Sequence, residues 1–97
     1  MSEVTVVATL EARPGCRDAL WELCLGLLEP TRAEAGCIVY EVFSSADHPD
    51  RIVFVERWTS EEALEAHLAS EHIRAAVSRL PALALGGPDI QRLTRRG

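Results

Sequence analysis

The chain has 97 residues, of which 47% are hydrophobic and 26% charged, a balance that predicts one globular domain over residues 1–97 rather than a disordered or fibrous chain. Fifteen acidic against ten basic residues give a net charge of −5, which disfavours nucleic acid as a partner because no basic stripe can neutralise phosphates. No apolar run approaches the roughly 20 residues that span a membrane, and without a signal-peptide pattern we expect a cytoplasmic protein.

The first part of the chain has the pattern of a strand followed by a helix. Residues 3–11 alternate with a period of two and are mostly apolar on both sides, which predicts a strand covered on both faces. After a Pro-Gly turn, apolar side chains recur at helical spacing over residues 20–27, so we expect a helix that continues to about residue 34. Pro30 is expected to kink its last turn, and Gly36 to form its C-terminal cap.

Two strand-like segments follow. Residues 37–44 and 51–58 are rich in Ile, Val, Tyr and Phe, and the polar stretch between them fits a hairpin connection. Thr59 and Glu62 have the spacing of a capping box, in which the hydroxyl and the carboxylate satisfy each other's backbone N–H groups. The sequence therefore predicts an antiparallel hairpin with a helix directly after its second strand.

The end of the chain completes the order of elements. A break near residue 70 precedes a second helical stripe, which Pro81 is expected to end, and residues 88–93 are predicted to form a short last strand. The order β-α-β-β-α-β is typical of a ferredoxin-like α+β sheet with its helices on one face. Because the other face would then expose apolar residues, we predict a homodimer whose two sheets pack into a central α/β barrel.

Two histidines are candidates for acid–base chemistry. His67 falls on the apolar stripe of the first helix after the hairpin, and His72 opens the next helix, so both can face the sheet. An imidazole has an ordinary pKa of about 6.5, near the pH at which a general base is useful. The alternative is a buried, hydrogen-bonded His67 and a solvent-facing His72. His48, in the polar hairpin loop, is expected to have no such role.

Aromatic residues of the hairpin are candidates for the wall of a binding site. Trp58 ends its strand on the same face as Phe54, and Tyr40 lies on the preceding strand. An indole beside a histidine can stack on a flat substrate while its N–H donates one hydrogen bond. The alternative for these rings is an ordinary place in the hydrophobic core.

Glu56 is the least expected residue of the hairpin, because it lies among aromatic residues on a strand face predicted to be buried. A buried carboxylate costs free energy unless it has a partner. Arg32 or Arg57 is the expected partner. The pair would be either a structural ion pair or part of a substrate site.

Several motifs of cofactor chemistry are absent from the sequence. Without a G-x-G-x-x-G or Walker loop, a nucleotide cofactor is disfavoured. Without H-E-x-x-H, and with His67 and His72 five residues apart rather than the four that place two ligands on one helix face, a metal is disfavoured too. Three cysteines without a C-x-x-C pair indicate neither a disulfide framework nor a zinc site. We therefore expect no metal and no bound cofactor.

Together these segments resemble the antibiotic biosynthesis monooxygenase family of small dimeric α+β barrel proteins, over nearly the whole chain. The resemblance is carried by VATLEARPG at residues 7–15, TRAEAGCIVYE at residues 31–41, Glu56-Arg57-Trp58 with Ser60, and ALEAH at residues 63–67 followed by Ser70 and His72.

The resemblance implies a cofactor-independent monooxygenase that oxidises a quinol, an anthrone or a related polycyclic phenol with O₂. In such a reaction the substrate loses a proton to a protein base, and its anion passes an electron to dioxygen inside a cavity that excludes water. His67 or His72 would be the base, and Trp58 and Tyr40 would hold the aromatic plane.

The arginines would have a supporting role, and two other functions stay open. Arg32 or Arg57 would stabilise the developing anion. Haem degradation is disfavoured, because haem-degrading relatives carry an Asn on the first strand and residues 4–10 contain none. An isomerase of a small phosphorylated metabolite shares the Tyr, Trp and His residues but needs convergent arginines. A non-catalytic ligand-binding or interaction protein would keep the same residues as core.

Overall fold

Four strands and four helices make up residues 2–97, the part of the chain that the computed structural model describes. In chain order the elements are β1 (Val4–Glu11), α1 (Arg17–Leu25), α2 (Leu28–Arg32), β2 (Cys37–Ser44), β3 (Arg51–Trp58), α3 (Glu61–Leu68), α4 (Glu71–Leu83) and β4 (Asp89–Leu93). The strands form one antiparallel sheet in the order β2-β3-β1-β4. The predicted ferredoxin-like α+β fold is confirmed, with each helical connection divided into two helices.

The hydrophobic core lies between the helices and one face of the sheet. Side chains alternate along β3, so that Ile52, Phe54 and Trp58 point toward the helices and are at most 4% exposed. Leu20 of α1 and Leu64 of α3 cover them and are also buried. β1 alternates in the same way. The period-two patterns of the sequence therefore gave the strands correctly, and β2 and β3 have the predicted bounds.

The opposite face of the sheet is open within the chain. Phe43 is 49% exposed and Leu93 is 45% exposed, and the half-buried valines Val7, Val53 and Val55 belong to the same face. Directly paired residues of neighbouring strands share a face, so Phe43 and the three valines form an apolar patch, bordered on the same face by the polar side chains of Thr5, Glu41, Arg57 and Gln91. The sheet does not close into a barrel within the chain.

The first helical connection breaks at Gly26 rather than at Pro30. α1 ends at Leu25, and Gly26 donates its backbone N–H to Glu22 O at 3.1 Å. Glycine is a poor helix former, which favours a break there. Pro30 is the third residue of α2, where a backbone N–H would have no partner within the helix, so its missing donor costs little.

Gly36 serves a purpose different from the predicted helix cap. The C-cap of α2 is Ala33, three residues earlier. A Cβ atom at Gly36 would lie 2.2 Å from the Cβ of Ala63 and 2.9 Å from Oγ1 of Thr59. The absence of a side chain at Gly36 therefore lets the segment between α2 and β2 approach the start of α3 closely.

Serine side chains begin the two helices after the hairpin. Ser60 Oγ accepts from the backbone N–H of Ala63 at 3.1 Å, so Ser60 is the N-cap of α3 rather than Thr59. Ser70 caps α4 in the same way by accepting from the N–H of Ile73 at 3.4 Å. The predicted break near residue 70 is thus confirmed as the boundary between α3 and α4.

Pro81 lies inside α4, which continues to Leu83. The proline lacks the N–H that would bond one turn back, but Arg13 holds the last turn from outside. Its Nε donates to Pro81 O at 2.9 Å, and its backbone N–H donates to Leu83 O at 2.8 Å. Across residues 2–97, no helix combines the length and the apolar character needed to cross a membrane.

Candidate active site

A cavity of about 100 Å³ lies between the helices and the inner face of the sheet. Strands β1 to β4 form its floor, and α1, α3 and α4 form its walls. Its surface is almost wholly apolar, and the polar groups among its lining residues are the phenol of Tyr40, the carboxyl of Glu56 and the imidazole of His67. A largely apolar pocket with a few converging polar groups is the usual form of a small-molecule site.

His67 faces this cavity from α3 and is 2% exposed. Its Nδ1 lies 2.8 Å from Oε2 of Glu34. Its ring lies on the indole of Trp58, with 4.5 Å between ring centroids, and meets Tyr40 edge-on at 5.4 Å. Burial lowers the pKa of His67, against the opposing effect of Glu34. The ring is therefore held in one orientation and favours its neutral form.

The contact with Glu34 determines which ring nitrogen of His67 carries the hydrogen and which is free to accept one. A carboxylate accepts hydrogen bonds and does not donate them, so the Nδ1 that faces Glu34 carries the hydrogen. Nε2 has no hydrogen-bond partner among residues 2–97. In the same residues Thr31 Oγ1 is the one fully enclosed side-chain polar atom without a partner, so Nε2 keeps contact with open space. The neutral imidazole thus presents a basic nitrogen to a ligand.

Glu34, which no sequence motif marks as a site residue, is the centre of a polar cluster. Its Oε2 also lies 2.9 Å from Nε2 of His72, and Ser70 Oγ lies 3.3 Å from the same nitrogen. Glu34 comes from the connection between α2 and β2, two residues before Gly36, whose close contact with Ala63 brings the connection to α3. Gly36 was a sequence signal for a close backbone contact at this point, but the sequence does not show which residue it contacts.

This cluster is also the part of the site that could hold a metal ion. Ligating atoms of Glu34, His67 and His72 lie within 4.8 Å of one another, and two imidazoles with a carboxylate are donors that divalent transition metals accept. The expectation of no metal relied on the five-residue spacing along one helix. The break at Ser70 removes that argument, because it places the two histidines on separate helices that face one carboxylate.

Glu56 is the second ionisable group in the cavity, and it is 5% exposed. Its Oε1 accepts a hydrogen bond from the indole N–H of Trp58 at 3.0 Å. Burial raises the pKa of Glu56 to about 7, with the Trp58 hydrogen bond opposing and the Glu34 charge adding to the shift. The carboxyl therefore favours its protonated form more than an exposed glutamate does.

The two arginines expected beside Glu56 lie elsewhere, so its predicted ion pair is wrong. Arg32 Nε donates to the backbone oxygen of Tyr40 at 3.0 Å and so joins α2 to β2. Arg57 points to the open face, because it follows Glu56 on an alternating strand, and it pairs with Glu3 at 2.6 Å. Neither arginine lines the cavity.

Tyr40 and Phe54 do line the cavity, as expected of substrate-binding residues, whereas Trp58 lies behind it. The rings of Tyr40 and Phe54 are 5.3 Å apart. Burial, with the Glu56 charge adding to it, raises the pKa of the Tyr40 hydroxyl, which therefore stays protonated. Trp58 is fully buried and contacts both His67 and Glu56, so its place is to orient the two ionisable groups. His72 contacts Glu34 and does not reach the lining.

Comparison with known proteins gives these residues a family context. Residues 3–79 match the family model described as antibiotic biosynthesis monooxygenase. The chain is 42% identical over 82 residues to "Putative monooxygenase Rv0793" of Mycobacterium tuberculosis, which covers 81% of this chain and 80% of that protein. It is 33% identical over 82 residues to "Probable quinol monooxygenase YgiN" of Escherichia coli, which covers 74% of this chain and 79% of that protein.

Solved structures of related proteins have the same fold. The structure of Rv0793 superimposes with a TM-score of 0.93 over 99% of this chain and 97% of that chain, at 33% identity. The structure of PA3566 from Pseudomonas aeruginosa gives a TM-score of 0.94 over 100% of this chain and 97% of that chain, at 31% identity. From the family match and these relatives together, the chain belongs to the antibiotic biosynthesis monooxygenase family.

Proposed function

We propose that the protein is a cofactor-independent monooxygenase that oxidises a quinol, an anthrone or a related phenol with O₂. The observation that carries this proposal is His67, a neutral imidazole with an anchored Nδ1–H and an unpaired Nε2 in an apolar cavity. A base in this state can take a proton from a phenol or an activated C–H group. The anion that forms is then electron-rich enough to reduce dioxygen itself.

Among the two candidate histidines, we assign the base to His67. It is the histidine that lines the cavity, while His72 reaches the reaction only through Glu34. In this assignment Glu34 holds the tautomer of His67 and stabilises the imidazolium that forms when Nε2 takes the proton. Tyr40 and Phe54 contact the substrate ring, and the apolar wall keeps water from the anion.

The size of the cavity indicates which of the proposed substrate classes fits best. An apolar cavity of about 150 Å³ binds benzene, and the cavity here, at about 100 Å³, is smaller, so it can enclose at most one ring and has no room for three fused rings. Exposed Leu68, Val77 and Ile90 surround its outer end, where larger substituents have room. The name of the Escherichia coli relative, a quinol monooxygenase, points the same way. We therefore place quinols before anthrones as substrates.

The open face of the sheet supports a homodimer. Phe43 and the neighbouring Val7, Val53 and Val55 form an apolar patch on the side opposite the helices, and a second sheet of the same kind would cover it. We propose that two chains pack through this face into a barrel. Molecular mass in solution at micromolar concentration tests this, and a monomer there would contradict the barrel.

The alternative functions have less support from the site. An isomerase of a phosphorylated metabolite needs cationic groups at the phosphate, but the lining of the cavity has no arginine, and the sequence has no lysine at all. A non-catalytic binding protein would use the same pocket without turnover. It would be stabilised thermally by ligands that it leaves unchanged.

The deciding experiment measures oxygen uptake by chelator-treated protein with a panel of quinols and anthrones, after subtraction of autoxidation. His67→Ala should lower protein-dependent uptake by roughly 100-fold or more, the usual scale for loss of a general base. His48→Ala is the matched control, because that exposed loop histidine should leave uptake unchanged. Uptake no faster than background with every substrate would reject the proposed function. Uptake restored only by added metal would reject its independence of cofactors.

A further inference from the structure

We infer that Glu56 is a second catalytic residue, an acid that protonates the peroxide formed between substrate and dioxygen and then removes the last substrate proton. This inference rests on the proposed function and extends it from one ionisable group of the cavity to two. Glu56 and His67 are the two titratable groups of the lining besides the Tyr40 phenol and the Cys24 thiol. Burial raises the pKa of Cys24 to about 12, so the thiol, like the phenol, stays neutral.

The position of the carboxyl leaves one oxygen for a ligand. Oε1 is held by the indole N–H of Trp58 at 3.0 Å. Oε2 has no partner among residues 2–97, and it is not one of their fully enclosed polar atoms, so it contacts open space. A carboxyl anchored through one oxygen and free at the other, on a wall of the cavity, can donate a proton to a bound group.

The surroundings of Glu56 favour a protonated carboxyl, because no cation of residues 2–97 forms an ion pair with it. Arg57 lies on the opposite face with Glu3, and Arg32 is bonded to the backbone of Tyr40. The charge of Glu34 also raises the pKa of this carboxyl and so favours its protonated form. A buried carboxyl without a cation is costly as an anion and much less costly as an acid.

The acid Glu56 and the base His67 both contact Trp58 but do not pair with each other. The His67 ring lies on the Trp58 indole, and Glu56 bonds to the N–H of the same indole. Within residues 2–97, His67 and Glu56 form no hydrogen bond or ion pair with each other. Two titratable groups whose environments favour a neutral base and a neutral acid in one cavity are typical of paired acid–base catalysis.

The proton transfers then balance over the whole reaction. His67 takes one proton from the substrate, and the carbanion, or the equivalent ring carbon of a phenolate, forms a C–O bond to O₂ by stepwise electron transfer. Glu56 gives its proton to the terminal oxygen of the peroxide anion. The Glu56 carboxylate next takes the remaining hydrogen of the oxygenated carbon as a proton while the O–O bond breaks, which leaves a carbonyl and hydroxide. The imidazolium protonates hydroxide to water, so substrate plus O₂ gives ketone or quinone plus water, and both residues return to their starting states.

Glu56→Gln is the test, because the amide oxygen can still accept from Trp58 but the side chain cannot transfer a proton. We measure oxygen consumed, product formed and hydroperoxide plus hydrogen peroxide released. We expect product formation to fall by roughly 100-fold, on the scale of general acid–base catalysis, while peroxide released per O₂ consumed rises toward one. Glu22→Gln, at an exposed glutamate of α1 that neither lines the cavity nor lies on the open face, is the matched control and should behave as the wild type.

Each outcome separates the two proposals. If the wild type consumes no oxygen above background, the proposed function fails and the role of Glu56 fails with it. If the wild type is active and Glu56→Gln gives the same product and peroxide yields, the role of Glu56 alone is rejected. A second measurement does not depend on turnover. The infrared carbonyl band of a protonated carboxyl should be present at about pH 6 in the wild type and absent in Glu56→Gln, and absence from both would also reject the inference.

Discussion

On the open face of the sheet one ion pair is exposed to solvent, whereas on the helix-facing side two ionisable groups are buried in contact with an aromatic ring. Arg57 pairs with Glu3, and both are exposed to solvent. Glu56, one residue earlier on the same strand, is buried beside Trp58 and forms no ion pair within the described part of the chain. Two neighbouring residues of β3 thus differ in surroundings: water stabilises the charge of Arg57, whereas the protein interior determines the pKa and the reactivity of Glu56.

The largest expected effect is on the helix-facing side. Trp58→Ala removes a fully buried indole that supports both His67 and Glu56. We expect a loss of about 3–5 kcal/mol in the free energy of unfolding, as for large aromatic truncations in cores. Urea denaturation measures it. A loss below 1 kcal/mol would mean that the indole is not the shared support described above.

The next effect is the pH dependence of stability, which should come from the inner carboxyl. The folded pKa of Glu56 is about 7, above the ordinary value of 4.5, so the folded state holds a proton that the unfolded state has lost between those pH values. Its contribution to stability is therefore full below about pH 4.5 and is lost as pH rises through about 7. One pKa unit corresponds to about 1.4 kcal/mol, so the change is a few kcal/mol.

Comparison of the wild type with Glu56→Gln at a series of pH values isolates this effect. His67 acts in the opposite direction, because its lowered pKa makes the folded state bind fewer protons than the unfolded state as pH falls through the ordinary histidine range. The groups that interact with Glu56, namely Glu34, Tyr40 and Cys37, are present in both proteins. Parallel stability curves for the two proteins would contradict the raised pKa.

The smallest effect belongs to the open face. Glu3→Gln removes the partner of Arg57 in an ion pair whose side chains are 52% and 38% exposed. Glu3 lies just before β1 and Arg57 is next to the last residue of β3, so the pair lies at one end of the sheet, where we expect it to stay in contact with solvent in the proposed dimer. We expect a change of about 0–1 kcal/mol that vanishes in high salt, as is usual for solvated ion pairs. Urea denaturation at low and high salt measures it, and a large salt-independent loss would mean that this pair is buried, for example between two chains.

Local patterns predicted most of the fold, because strand alternation and turn residues act over a few positions. The bounds of β2 and β3 and the break near Ser70 are of this kind. Ser60 rather than Thr59 caps α3, an error of one residue between two hydroxyl side chains. Pro30 stays inside a helix because a backbone N–H at that position would have no partner within the helix. Pro81 stays inside a helix because Arg13 donates a hydrogen bond to its carbonyl oxygen.

The site was less predictable, because its members meet through tertiary packing. Among the site residues expected from the sequence, the structure brings Tyr40, Phe54, Glu56 and His67 into the lining of the cavity and leaves Trp58, His72, Arg32 and Arg57 outside it. The sequence does not show that Glu34 lies between two histidines, since the hydrogen bonds span 33 and 38 residues. Their catalytic roles are still predictions.

Gly36 has a consequence for anyone who tries to transplant or redesign this pocket. It has no functional group, yet the missing Cβ is what lets the peptide that carries Glu34 rest on Ala63 at the start of the helix that carries His67. A designed or natural chain could keep every polar residue of the pocket and still separate the carboxylate from the imidazole by enlarging either small residue. A search for proteins with the same chemistry should therefore require two small residues at this contact along with the histidine and the glutamates.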